Sequence, residues 1–134
     1  MTEETLHILL SCARQAISKG FYAASSPMRR YGAAVLTQDG NIYSAGQYSS
    51  YNHITSIHAE MGAILLATMN NEPKIIALAL AGDGDVPICS CGVCLQFMAE
   101  HCSRTHLDMM VAYDNADSPE LHTILELTKG MWLG

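Results

Sequence analysis

The 134-residue sequence predicts one α/β domain, residues 1–134, built on a mixed sheet. Three observations lead there. Two apolar stretches, residues 31–37 and 41–45, flank Gln38-Asp39-Gly40, a turn sequence that suits a hairpin. Residues 74–81, KIIALALA, form a continuous apolar run of the kind found in strands buried on both faces. Helical and extended patterns then alternate, an arrangement that lays helices on both sides of a sheet. Right-handed crossovers make the later strands parallel, whereas the hairpin is antiparallel.

The elements follow in order. Residues 3–18 predict an amphipathic helix, because Leu6, Leu9, Leu10, Ala13 and Ile17 recur at three- and four-residue steps. Thr2 can cap it, Glu3 and Glu4 suit the positive end of its dipole, and Gly20 marks its stop. Residues 20–30 read as a polar connection, and residues 46–57 as a polar loop with aromatics. Residues 58–70 predict a largely buried helix, and residues 92–101 a further one. Residues 107–113 predict a strand. Residues 119–128 predict a last helix with Ser118 as its cap. There is no repeat, low-complexity tract or linker.

Composition narrows the function. Seven Lys and Arg face 13 Asp and Glu, for a formal charge of -6. An acidic chain without a basic run is poorly suited to a phosphate backbone or an anionic membrane surface. No apolar run is long enough to span a bilayer. The N-terminus is acidic where a secretory leader would be basic, which predicts a cytoplasmic protein. Of the five cysteines, Cys89, Cys91 and Cys94 crowd into six residues, a pattern that fits a metal site better than a secreted disulfide framework. Cys12 and Cys102 read as small core residues.

The chemistry concentrates in His58-Ala59-Glu60 and Cys91-Gly92-Val93-Cys94. Zinc takes imidazole nitrogen and thiolate sulfur, and a catalytic zinc keeps one position for water. His58, Cys91 and Cys94 supply three ligands, and two thiolates balance the charge of the ion. Both motifs fall at predicted helix starts, where the dipole favours thiolate over thiol. Helical spacing turns the Glu60 side chain away from His58, so Glu60 reads as a proton carrier beside the metal-bound water rather than a ligand. Cys89 is the complication: as a fourth ligand it would close the site into a non-catalytic structural one. His7, His101, His106 and His122 read as surface or ordinary hydrogen-bonding residues, and His53 as structural before substrate-binding. Tyr48 and Tyr51 have rings that could stack on a heterocycle.

His-Ala-Glu with a later Cys-x-x-Cys resembles the signature of zinc-dependent nucleobase deaminases. The likeness runs from about Tyr31 to Glu100. Gly32-Ala33-Ala34-Val35-Leu36, Asp39-Gly40, Gly46 and Cys91-Gly92-Val93-Cys94-Leu95-Gln96 resemble the corresponding segments of the small homotetrameric cytidine deaminases. The ending ILELTKGMWLG resembles the tail of blasticidin-S deaminases, in which case Trp132 either closes a neighbouring pocket or simply packs. The resemblance implies a three-layer α/β/α sandwich around a five-stranded mixed sheet. It implies zinc on His58, Cys91 and Cys94, proton transfer by Glu60, and backbone contacts to the ring near Ala59 and Ser90. It also implies a nucleoside-like small-molecule substrate and a homotetramer, with no nucleic-acid partner.

The departures bear on substrate. His58 stands where small members carry Cys, and Met61 where they carry Arg. One change removes a negative charge and the other a positive one, so they compensate. Gln47 and Ser49 stand where ribose-binding members carry Asn and Glu, and Ser49 lacks the two acceptors of a carboxylate. Arg29 replaces a Phe, Ser90 a Pro and Leu95 an Arg. Cytidine or deoxycytidine leads as substrate, followed by a modified aminopyrimidine nucleoside of the blasticidin type. Arg29 and Arg30 keep a phosphate-bearing substrate open.

Overall fold

A computed structural model describes residues 1–23, 29–52, 54–84, 87–115 and 118–131. Its helices are α1 (Glu3–Ala16), α2 (Ala59–Met69), α3 (Gly92–Thr105) and α4 (Ile124–Leu127). Its strands are β1 (Tyr31–Thr37), β2 (Ile42–Gly46), β3 (Ile75–Gly82), β4 (Met110–Tyr113) and β5 (Glu120–Thr123). The five strands form one sheet in the order β2-β1-β3-β4-β5. Only the β3–β4 pair is parallel; β1–β2, β1–β3 and β4–β5 are antiparallel. The sheet is mixed, as predicted.

Strand alternation sorts side chains by size onto the two faces. Val35, Leu78, Leu80, Val111 and Tyr113 join the core beneath α2 and α3. Ala34, Ala77, Ala79, Ala81 and Ala112 face Leu9, Leu10 and Ala13 of α1. Small residues on that face let α1 approach closely. The Cβ that Gly32 lacks would lie 2.3 Å from the Ala13 carbonyl oxygen, and that of Gly46 2.3 Å from the Gly20 nitrogen. Leu9 and Leu10 are fully buried there, each stabilising the fold by about 2 kcal/mol. The result is three layers: α1, the sheet, then α2 with α3.

Local signals explain the ends. The Thr2 side chain accepts from the Thr5 N–H, as a cap should. A short 3-10 turn, Ile17–Lys19, finishes the first helix before Gly20. Gly40 turns the hairpin with φ +90, a backbone that favours glycine. At that end of the sheet Glu72 accepts from Thr37 and Asn41, each at 2.8 Å, and from Tyr43.

The predicted helix over residues 119–128 is corrected. Residues 120–123 form β5, paired antiparallel with β4 from Met110↔Thr123 to Tyr113↔Glu120. Only Ile124–Leu127 is helical, and its cap is Thr123 rather than Ser118. The outer edge of β4 offers unpaired backbone groups, and satisfying them outweighs a helical pattern in the sequence. The strand predicted from residue 107 begins at Met110, because His106 ends α3 in the left-handed conformation. Among the described residues, no helix is long and apolar enough to cross a membrane.

Candidate metal centre and cavity

Two chain segments meet at the carboxyl end of β3. One runs from β2 into α2 and carries His58; the other runs from β3 into α3 and carries Cys91 and Cys94. His58 is the residue just ahead of α2, with extended backbone (φ -69, ψ 152). Cys91 holds the same place ahead of α3 (φ -73, ψ 169), and Cys94 lies in the first turn. Both helix starts therefore point into one place, beyond the strand ends, where open α/β sheets collect ligands.

The ligand atoms converge. His58 Nδ1 lies 3.0 Å from Cys94 Sγ and 3.4 Å from Cys91 Sγ. All three donor atoms lie within 4.8 Å of one another. Tetrahedral zinc bonds place nitrogen and sulfur about 3.5 Å apart and two sulfurs about 3.8 Å apart. The trio is thus already near the size of the ion's coordination shell, and its nitrogen-and-sulfur donors suit zinc. Cys89 is exposed and lies outside this group.

Electrostatics sharpens the requirement for a cation. Burial pushes the Cys94 thiol up, and the negative charges of Glu60 and Cys91 push it further. The dipole of α3, expected to favour thiolate, is outweighed here. A bound cation reverses the balance, because a coordinating thiol is deprotonated outright.

A cavity of about 200 Å³ opens beside the trio, lined among the described residues by Tyr31, Gln47, His58, Glu60, Leu80, Cys89 and Cys91. Glu60 is 4% exposed and Gln47 5% exposed. Helical spacing predicts that Glu60 turns away from His58, but both line this cavity. The reason is local: His58 precedes the helix in extended backbone, so the angle between successive helical residues does not apply to it.

Of the other predicted substrate residues, Ser49, Ala59 and Ser90 are buried and do not line the cavity. Ser90 Oγ makes no well-formed hydrogen bond among the described residues. Tyr48 and Tyr51 are exposed, and Tyr48 stacks on Phe21 with centroids 5.4 Å apart. Arg29 donates to the carbonyls of Asp83 and Gly84, and the Arg30 N–H to Asp83 Oδ1 at 2.9 Å. His101 meets the Pro73 carbonyl at 2.6 Å, and His122 lies 3.8 Å from Glu120 and 3.7 Å from Glu126. Cys12 and Cys102 are half-buried against the two cores, and burial pushes the Cys102 thiol up to about 11. His53 and Trp132 lie outside the described residues. Sequence reasoning missed Tyr31 and Leu80 as cavity walls, since nothing distinguishes them from other apolar strand residues.

The model of the cytidine and deoxycytidylate deaminase zinc-binding region matches residues 4–108. The chain belongs to this family. The family's region binds zinc, and His58, Cys91 and Cys94 are a group placed to hold a metal ion. A cytidine deaminase of Sporosarcina psychrophila is 33% identical over 72 residues, 54% of this chain and 53% of that protein. One of Halalkalibacterium halodurans is 31% identical over 71 residues, 53% of this chain and 54% of its own length. The matched stretch thus spans about half the length of these curated relatives. The fold resembles the crystal structure of cytidine deaminase from Burkholderia pseudomallei, with a TM-score of 0.81 at 24% identity, covering 98% of this chain and 100% of that one. A cytidine deaminase structure from Bacillus anthracis gives a TM-score of 0.68 at 23% identity, covering 94% and 88% respectively. These likenesses establish the three-layer fold.

Proposed function

We propose that this protein is a zinc-dependent hydrolytic deaminase of a cytosine nucleoside, taking cytidine or deoxycytidine to uridine or deoxyuridine and ammonia. The observation that carries the reading is a buried carboxylate, Glu60, sharing one cavity with a cysteine–histidine metal group. His58, Cys91 and Cys94 are the ligands. Zinc, when bound, supplies a Lewis acid that makes water nucleophilic near neutral pH. The water oxygen would add to the ring carbon bearing the exocyclic amine while Glu60 moves its proton to the ring nitrogen; Glu60 would then carry the second proton from the new hydroxyl to the amine, so that the C–N bond breaks, ammonia leaves and a carbonyl remains. Gln47, with an amide that both donates and accepts, orients the substrate at the cavity wall. Ala59 and Ser90 contribute through backbone, and Ser49, two residues from Gln47, completes the neutral pair that stands in place of the ribose-binding residues.

No basic residue is among the described cavity residues, and Arg29 is engaged by backbone carbonyls. This supports an uncharged nucleoside over a phosphate-bearing one. Gln47 and Ser49 are both neutral, so a modified aminopyrimidine nucleoside of the blasticidin type is the second reading. A structural zinc module is disfavoured because Cys89 does not join the ligand group. The apolar side chains that α2 leaves exposed, Leu65, Leu66 and Met69, support self-association as a homotetramer. A cytoplasmic nucleoside-salvage role accompanies this reading.

The test is ammonia release from a panel of aminated nucleosides, free bases, nucleotides and blasticidin S, with zinc-loaded and zinc-stripped protein. Zinc-dependent turnover of cytidine or deoxycytidine is expected. Absence of zinc-dependent ammonia release across the panel would refute the reading.

A further inference from the structure

The residues leading to Cys91 have no ladder to hold them. Pro87, Ile88, Cys89 and Ser90 belong to no helix or strand. Yet a metal ligand must be held within about 0.5 Å of its place. On the histidine side backbone does this work. Ile57 N–H donates to the Tyr48 carbonyl at 2.8 Å, and Tyr48 N–H to the Ile57 carbonyl at 2.9 Å.

On the cysteine side, among the described residues, side chains take over. Ile88 N–H donates to Asn115 Oδ1 at 2.9 Å, and Ser90 N–H to the Tyr113 hydroxyl oxygen at 3.1 Å. Two donors two residues apart meet two acceptors two residues apart, the spacing of a strand pair with side chains in place of carbonyls. Tyr113 is the last residue of β4, 2% exposed, with its ring in the core. Its hydroxyl is therefore a fixed point. Among the described residues, Ser90 Oγ is buried and makes no well-formed hydrogen bond, so its amide is the group that the Tyr113 hydroxyl holds.

We propose that Tyr113 is a positioning residue for the Cys91 ligand, with Asn115 as the second anchor. The Tyr113 hydroxyl fixes the Ser90 amide and thereby the peptide that presents Cys91 Sγ to His58 Nδ1. The proposal rests on the ligand assignment above. Without the hydroxyl, a buried N–H loses its acceptor, and the segment relieves that cost by turning toward water and away from the metal group.

The test measures zinc affinity of the full chain by chelator competition, with the visible spectrum of the cobalt(II) form as a second readout. Tyr113→Phe keeps the ring, and about 10- to 100-fold weaker binding is expected. The thiolate-to-cobalt bands should change as well. Asn115→Ala should weaken zinc in the same direction, which keeps the proposal testable if Tyr113→Phe folds poorly. Ser90→Pro removes the donor itself, so adding Tyr113→Phe to it should change zinc affinity less than twofold. A purely packing role for Tyr113 would not be suppressed in this way. Unchanged affinity in Tyr113→Phe, alongside lost zinc in Cys91→Ala, would overturn the positioning role alone. Full zinc binding by Cys91→Ala would overturn the ligand assignment and this proposal with it.

Discussion

Replacing Gly32 by alanine should destabilise the protein strongly, though the change adds one methyl group and lies away from the metal. The new Cβ would lie 2.3 Å from the Ala13 carbonyl oxygen, 2.6 Å from the Ile17 nitrogen and 2.9 Å from the Ala16 carbonyl carbon. All three are backbone atoms, so no side chain can swing aside. Ordinary contact needs 3.4 Å or more, so the end of α1 must retreat by about 1 Å, enough to forfeit a quarter to a half of each dispersion contact it makes. The face that opens is the one holding Leu9, Leu10, Ala34, Ala79 and Ala81. Overpacking of this kind costs about 3 kcal/mol. With roughly 2.1 cal/mol/K of unfolding entropy per residue, the midpoint falls by about 10 °C. Thermal melts of the zinc-loaded protein measure it. Gly92→Ala serves as a control, because among the described residues nothing beyond its own helix and chain neighbours lies within 4 Å of its added Cβ. Lost chain entropy alone would make Gly32→Ala stabilising by about 0.4–1 kcal/mol, so the sign decides. A midpoint at or above that of the unaltered protein refutes the reasoning.

Three further outcomes follow from the site and the sheet. Glu60→Gln keeps the shape of the side chain but removes its proton-carrying capacity; zinc content should stay near one per chain while kcat falls about 10²- to 10⁴-fold. Substantial residual turnover would remove Glu60 from the proton-transfer role. Cys91→Ala should lower zinc content and melting temperature together, as metal analysis and calorimetry on the same sample would show. Hydrogen bonds from Tyr43, Asn41 and Thr37 hold the Glu72 carboxyl below its ordinary pKa. A lowered native value means the folded state is stabilised above the ordinary carboxylate range, and that this stabilisation is lost as pH falls through the lower native value. Glu72→Gln should therefore flatten the acid limb of urea midpoint against pH; an unchanged slope there would count against the cluster.

Legibility followed the range of the interactions involved. The periodicity of α1, its Thr2 cap, the Gln38-Asp39-Gly40 hairpin and the apolar run of β3 are local signals, and each is found where predicted. The zinc motif was legible because its residues sit at helix starts, with spacing that brings three donors together. Residues 120–123 were not legible: Leu121, Ile124, Leu125 and Leu127 suit a helix, and only the distant edge of β4 makes a strand of them. The sequence puts Glu60 beside the metal-bound water but turns its side chain away from His58, and that direction fails for a different reason. One residue at the boundary of α2 is extended rather than helical, and sequence places such boundaries to within a few residues at best.

The two ends of the sheet are tied by different means. Around Glu72, three side chains converge on one carboxylate and clasp the hairpin to the segment entering β3. At the opposite end, residues 87–91 lie outside any helix or strand, and the His58, Cys91 and Cys94 group joins that stretch to the start of α2. Withdrawing an ion from that group should therefore free one pole of the molecule while the other stays zipped, and the zinc-stripped chain should keep its sheet and take metal up again without refolding. Amide exchange should accelerate around residues 88–91 on chelation and stay slow at Thr37 and Ile75.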